Sequence, residues 1–346
     1  MIALLREAGG FGDIMCASAA ARALRHDVGT EEIALCVPEN FAEFASHLEG
    51  PDRVVSLGPL SEIRPVRRRR DTPMDPNRHP YLQKVFSLPN LQRVIDLYCP
   101  AFLNETTTSG EPQYSRSQLF AMAAGATHCL DAKPVWRLSD TDRNMARKIL
   151  CGYQRPYLVC QMRATCTARS LTSQQSEGLI GYLTQLGTVF YADCCAPQHP
   201  VDSKAVGLIN LPWPVLAAVI SFSDLVVCVD SALLHLAAAT GTPAVALFGP
   251  SSGEAVTASY LQIWPLDGSS DQCSKPCCYT TELGWDRIRC RSAGCCRMMS
   301  HDAKAVAAGV RVALEFARAG RPSGAEVPAS KDLACVAHRK GGFSGP

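Results

Sequence analysis

No apolar run in this 346-residue sequence approaches the roughly 20 residues that a membrane-crossing helix needs, so a spanning protein is not expected. Behind Met1 the chain passes directly through Ile2, Ala3, Leu4 and Leu5 to Arg6 and Glu7. The charged n-region, long apolar stretch and small-residue cleavage site of an export signal are missing, and a cytoplasmic location is the expectation. Net charge is also nearly absent. The 34 Lys and Arg stand against 32 Asp and Glu, a formal +2, which supplies no global field for nucleic acid or anionic lipid. No nucleic-acid partner is expected, although locally concentrated charge leaves room for peripheral membrane contact. The first glycine-rich turn lacks the third glycine of the dinucleotide fingerprint, because that position is Met15, and it lacks the Gly-Lys-Ser/Thr ending of a P-loop. Dehydrogenase and nucleotide-triphosphatase readings lose their main support. No internal repeat or low-complexity segment stands out.

What is present is a soluble globular composition, 47% hydrophobic and 19% charged, in a chain long enough for two domains with their own cores. Residues 2–6 suit a strand, residues 7–13 a glycine-rich turn and residues 14–25 a helix, the usual opening of a doubly wound domain. Strands over 33–37, 53–57 and 94–98 and helices over 39–48 and 116–125 continue the alternation. Residues 64–80, rich in Arg and Pro, are expected to be a surface loop. A polar helix from Ser139 to about Leu150 looks like the bridge to a second α/β domain, which opens with a strand over 157–162. It continues with helices over 176–186 and 213–221 and strands over 189–192 and 207–211. The expected division is 1–150, 151–320 and a loose tail over 321–346, rich in Gly, Ser, Pro and Lys.

The second half is organised around residues 223–252, SDLVVCVDSALLHLAAATGTPAVALFGPSS. The Val-rich run 224–229 suits a strand buried on both faces, Asp230 a helix N-cap, residues 231–240 a helix, Gly241 its stop, and Ala244 to Phe248 a second buried strand. Ligands of parallel sheets bind beyond the carboxyl ends of the strands. Asp230, Ser231 and Ala232 on one side and Gly249, Pro250 and Ser251 on the other therefore line one crevice, with the free N–H groups of the helix start suited to a phosphate.

Three features have two readings each. Asp13, at the first turn of the first helix, is either a helix-capping carboxylate or a catalytic base, and Gly10 and Gly12 beside it let another molecule approach the backbone. The run containing Arg67 and Arg68 is either a solvated face or a dock for an anionic acceptor. His235, on an apolar helix, is either a satisfied core histidine or a ligand contact.

Taken together, the strand–GGFGD–helix opening, the loop running from Arg163 to Arg169, and the 223–252 stretch resemble glycosyltransferase family 9, the heptosyltransferases of lipopolysaccharide synthesis. The resemblance implies a GT-B fold, two Rossmann-like domains facing across a cleft, with acceptor on the first and nucleotide-sugar on the second. It implies an inverting glycosyltransferase that moves a heptose or related sugar to the hydroxyl of a glycan, lipid-linked or protein acceptor and requires no cofactor for catalysis. Asp13 falls on the family's general base. Asp230, Ser231 and Ala232 fall on its Asp-Thr-Gly, keeping the hydroxyl and losing the glycine, and His235 falls on its Leu-His-Leu. Arg169 stands where a lysine is usual and Leu171 where a tryptophan is usual. Arg169 with Ser231 would stabilise the leaving diphosphate. A non-catalytic nucleotide-sugar binding module of the same fold is the alternative.

Seventeen cysteines are many for this length. Cys36, Cys160 and Cys228 lie inside expected strands, where cysteine behaves as a small hydrophobe. Six others crowd residues 273–296. Family members often carry cysteines here, and some relatives hold an iron in a four-cysteine site, so Cys273, Cys277, Cys290 and Cys296 form the candidate set for a structural zinc or iron. A reduced, metal-free loop is the other reading.

Overall fold

The computed structural model describes residues 1–29, 31–66, 73–97, 114–193, 205–271, 273, 276 and 295–319. The chain divides into two compact units. One comprises Met1–Arg137, Ser251–Tyr260 and Lys275–Ile288, the other Leu138–Pro250, Leu261–Ser274 and Arg289–Pro346.

In the first unit, strands β1 (Ile2–Leu5), β2 (Ile33–Val37), β3 (Arg53–Ser56) and β4 (Arg93–Asp96) form a wholly parallel sheet in the order β3-β2-β1-β4. β1 and β2 are buried along their whole length, which is why both are unbroken apolar runs rather than alternating ones. Helix α1 (Phe11–Val28) follows β1 and buries an Ala-rich face from Ile14 to Leu24. The small side chains let α5 (Arg116–Ala124) pack closely against it. Between these lie the short helices α2 (Ala42–Ser46), α3 (Leu60–Val66) and α4 (Gln83–Phe86).

The expected loop over 64–80 is corrected at both ends. α3 runs to Val66, and a 3-10 turn occupies Pro80–Leu82. Ile63, Tyr81 and Leu82 explain this, because all three are buried in the core cluster with Leu5, Cys36 and Leu57, and each such side chain contributes about 1.5–3 kcal/mol of burial. Arg67 and Arg68 lie outside the described residues.

The second unit carries six parallel strands, β5 (Tyr157–Gln161), β6 (Thr188–Asp193), β7 (Val206–Ile209), β8 (Leu225–Val229), β9 (Ala244–Phe248) and β10 (Ile263–Asp267), ordered β10-β9-β8-β5-β6-β7. Its helices are α6 (Asp140–Leu150), α7 (Ser173–Leu183), α8 (Trp213–Phe222), α9 (Ala232–Thr240), α11 (Cys296–Met299) and α12 (Ala303–Ala319). α10 (Gly253–Thr257) falls in the segment that groups with the first unit. α7 begins three residues before the expected 176, because Thr172 and Gln175 form a reciprocal capping box. β8 and β9 are fully buried neighbours, and Gly241 ends α9 in the left-handed region at φ 70°, as the sequence implies.

Candidate functional site

In an open parallel sheet the crevice for a ligand opens where two adjacent strands send their connections in opposite directions. In the first unit that point lies between β1 and β4, and Asp13 stands on the segment leaving β1. It is the third residue of α1, and its Oδ2 accepts the Gly10 N–H at 2.8 Å, so its capping role is real. Its Oδ1 accepts from Nη2 of Arg6 at 3.0 Å and from Nη1 of Arg116 at the start of α5. Arg6 in turn donates through Nη1 to the Leu97 carbonyl just past β4, at 2.9 Å, and so ties the two strand ends together.

Burial alone would push the Asp13 carboxyl up. Arg116, then Arg6, and the Gly10 N–H outweigh that and hold it far below the usual carboxylate range. The carboxylate is therefore charged throughout the physiological range.

The glycine whose freedom matters here is Gly9 rather than Gly10. Gly9 sits at φ 114°, and a Cβ there would meet Asp13 Oδ2 at 2.4 Å, whereas a Cβ on Gly10 meets nothing within 4 Å. Gly12 is the second residue of α1, and Gly10 is exposed.

In the second unit the reversal lies between β5 and β8, where Gln161 and Ser231 meet. Ser231 donates through Oγ to Gln161 Oε1 at 2.6 Å, bridging the two strand ends. The expectation that Asp230 caps the helix is corrected. Ser231 is the N-cap residue, and its hydroxyl is committed to Gln161 instead of to the helix N–H groups. Asp230, buried, faces Arg169, with Nη1 3.6 Å from Oδ1. Arg169 is carried by the loop after β5, which closes tightly through Leu171 N–H to the Met162 carbonyl at 3.0 Å and Ala164 N–H to Ser170 Oγ at 3.0 Å.

Arg169, Asp230, Ser231 and Ala232 thus share the carboxyl edge of one sheet with Gly249 and Pro250, which follow β9, the parallel neighbour of β8. His235 is half-buried one turn into α9. Ser251, fully buried, follows Pro250 in sequence and groups with the first unit. Arg6, Arg116, Gly9 and Gln161 are the residues that sequence reasoning missed. Ser115 and Gln118 form a capping box, so the helix start that carries Arg116 is legible in the sequence, although its pairing with Asp13 is not.

Cys36, Cys160 and Cys228 are buried in strands, and burial pushes the Cys36 thiol up to about 12. Of the candidate metal set, Cys277 and Cys290 lie outside the described residues. Cys273 and Cys296 sit side by side. Ser270 first, and Cys273 with it, hydrogen-bond the Cys296 sulfur and lower its thiol below the ordinary value. Cys295 points instead into the core of the second unit. Among the described residues no group of three or more His, Cys, Asp or Glu side chains is placed to hold a metal ion. Two adjacent thiols fit half of a four-thiolate site and do not complete one. The described residues that follow Cys296 are closely packed. Arg297, buried, donates through Nε to the Gly249 carbonyl at 2.9 Å, and a Cβ on Gly268 would lie 1.8 Å from the Arg297 carbonyl oxygen.

Residues 207–277 match the model of glycosyltransferase family 9 (heptosyltransferase). No curated protein matches the chain. Among solved structures, the glycosyl transferase family 9 protein of Veillonella parvula shares 12% identity over 91% of this chain and 97% of its own, with a TM-score of 0.65. The E. coli ADP-heptose lps heptosyltransferase II shares 14% over 92% of this chain and 100% of its own, at 0.63. The iron-containing dodecameric glycosyltransferase TibC from enterotoxigenic E. coli shares 15% over 93% of this chain and 79% of its own, at 0.57. The resemblance to family 9 and the GT-B class of two Rossmann-like α/β domains are borne out. Among the described residues no helix is long and apolar enough to cross a membrane.

Proposed function

We propose that this chain, with its family 9 segment in a GT-B fold, is a nucleotide-sugar glycosyltransferase that works by direct, inverting displacement with Asp13 as the general base. The observation that carries the reading is Asp13 itself, a carboxylate held charged by Arg6 and Arg116 at the point of the first sheet where a ligand crevice opens.

Displacement forms a bond from an acceptor hydroxyl oxygen to the anomeric carbon and breaks the bond from that carbon to the nucleoside diphosphate. The hydroxyl proton must go to a nearby base, and negative charge grows on the departing phosphate. Asp13 would take the proton. Arg169 and the N–H groups opening α9 would receive the charge, with a diphosphate competing against Asp230 for the guanidinium fork. Ser231, fixed by Gln161, would set where the phosphate sits.

The names of the neighbours make ADP-heptose the first donor to try, and the acceptor is a hydroxyl of a glycan, lipid-linked or protein substrate. A structural zinc or iron at the cysteine segment would be held in part by Cys273 and Cys296, and it would order that segment.

The test is a panel of nucleotide-sugars, assayed both by calorimetry and for transferred product, with the anomeric configuration of the product read by NMR. Product of inverted configuration supports the proposal, and retention rejects the direct displacement. A second reading keeps the same fold as a binding module only, and the observation favouring it is that Asp13 already has a structural task in capping α1. Tight donor binding without turnover across a broad acceptor set would select it.

A further inference from the structure

We propose that Arg6 is the positioning residue for the candidate base, a fixed cation that aims the Asp13 carboxylate. The inference rests on the reading of Asp13 given above.

The two arginines that meet on Oδ1 are differently held. Arg116 is the first residue of α5, and its side chain is 24% exposed. Arg6 ends the segment leading out of β1 with its side chain 9% exposed, and three contacts fix the plane of its guanidinium. Nη1 donates to the Leu97 carbonyl, Nη2 to Asp13, and the group lies over the Phe120 ring 4.9 Å from its centroid. These contacts reach the residue just past β4, α1 and α5, so the position of Arg6 is set by the end of the sheet and by two helices at once. A planar fork anchored at one tine leaves the other tine with little freedom, and the carboxylate on it inherits that precision. Among the described residues, the charged groups that bear on Asp13 are Arg116 from α5 and Arg6 from the segment after β1, with the Gly10 N–H from the turn. Glu7, next to Arg6, is buried and accepts instead from the Tyr81 hydroxyl at 2.8 Å.

A buried ion pair of this kind could serve the fold alone. That reading and ours part on pH dependence and on what lysine can replace. Lysine restores a positive charge and cannot hold Leu97 and Asp13 through one rigid plane. Arg6→Met should therefore lower kcat about tenfold or more at unchanged donor KM and move the acid limb of kcat/KM upward by about one pH unit or more. Arg6→Lys should return the acid limb close to its wild-type position while kcat stays reduced.

The carboxyl of Asp13, followed by carbon-13 NMR and assigned by its loss in Asp13→Asn, gives a readout that needs no turnover. It should titrate higher in Arg6→Met than in wild type. A folded Arg6→Met protein with unshifted titration and an unshifted acid limb overturns the proposal. Should Arg6→Met give no cooperative melt, Arg6→Lys decides, since wild-type kcat in that variant also overturns it. If Asp13→Asn turns over as wild type does, the base assignment fails instead, and the titration still reports whether Arg6 governs the charge of Asp13.

Discussion

Replacing Gly9 by alanine should damage both stability and turnover, while the same change at Gly10 should leave stability intact. At Gly9 the backbone has φ 114°, and the new Cβ would lie 2.4, 2.6 and 2.7 Å from Oδ2, Cγ and Cβ of Asp13. Those atoms cannot give way cheaply, because the carboxylate is held by Arg6, Arg116 and the Gly10 N–H. Backbone strain of this kind costs of order 1–3 kcal/mol, and loss of the helix-start hydrogen bond adds about 1 kcal/mol. The sum is roughly 2–4 kcal/mol, a fall in Tm of roughly 5–15 °C for a unit of this size. Displacing a base by about 1 Å can reduce turnover on the order of 100-fold. Gly10 has φ −111° and open space around its Cα, so Gly10→Ala should melt like wild type. Differential scanning calorimetry and a turnover assay on the two variants test the pair. Equal melting temperatures for Gly9→Ala and Gly10→Ala would refute the packing described at the turn.

Three further outcomes are expected. The Asp13 carboxyl lies lower in the folded chain than in the unfolded one, so its contribution to stability is fully present above an ordinary Asp pKa of about 4 and is lost as pH falls below that. The stability gap between wild type and Asp13→Asn should accordingly be largest above about pH 5 and narrow toward pH 2 in urea melts, and a gap independent of pH contradicts the ion-pair account. Ser231→Ala removes the 2.6 Å bond to Gln161 and should cost about 1 kcal/mol and raise the donor KM, read by denaturant melts and initial rates; an unchanged KM would detach Ser231 from the donor. Elemental analysis of protein purified without a metal column should find close to one zinc or iron per chain if Cys273 and Cys296 are half of a thiolate site, and well under one equivalent leaves them as reduced thiols.

What the sequence could show follows from how local each cause is. The β8–α9–β9 unit rests on contiguous signals, two buried runs and a glycine stop, and residues 223–252 display all of them. Asp13 was visible because a glycine-rich turn and a helix start are local features. The groups that give Asp13 its charge state were not visible, since Arg116 lies 103 residues away and is brought in by the packing of α5 on α1. Gln161 and Ser231 are 70 residues apart and meet only because β5 and β8 are neighbours in the sheet. The Asp230 cap failed for a related reason. A tertiary ion pair with Arg169 claims the carboxylate, and Ser231 takes the cap position without capping. The start of α7 could have been placed correctly, because Thr172-x-x-Gln175 is a local capping signature.

The claim on which the rest depends is that Asp13 takes the proton from the acceptor. With a donor and acceptor pair identified from the nucleotide-sugar panel, single-turnover rates of wild type and Asp13→Asn, measured at saturating donor with donor affinity checked by calorimetry, address it most directly. The account predicts donor binding within about threefold of wild type and a chemical step slowed roughly 100-fold or more. Wild-type rates in a folded Asp13→Asn protein would contradict it and leave Asp13 as the cap of α1 alone.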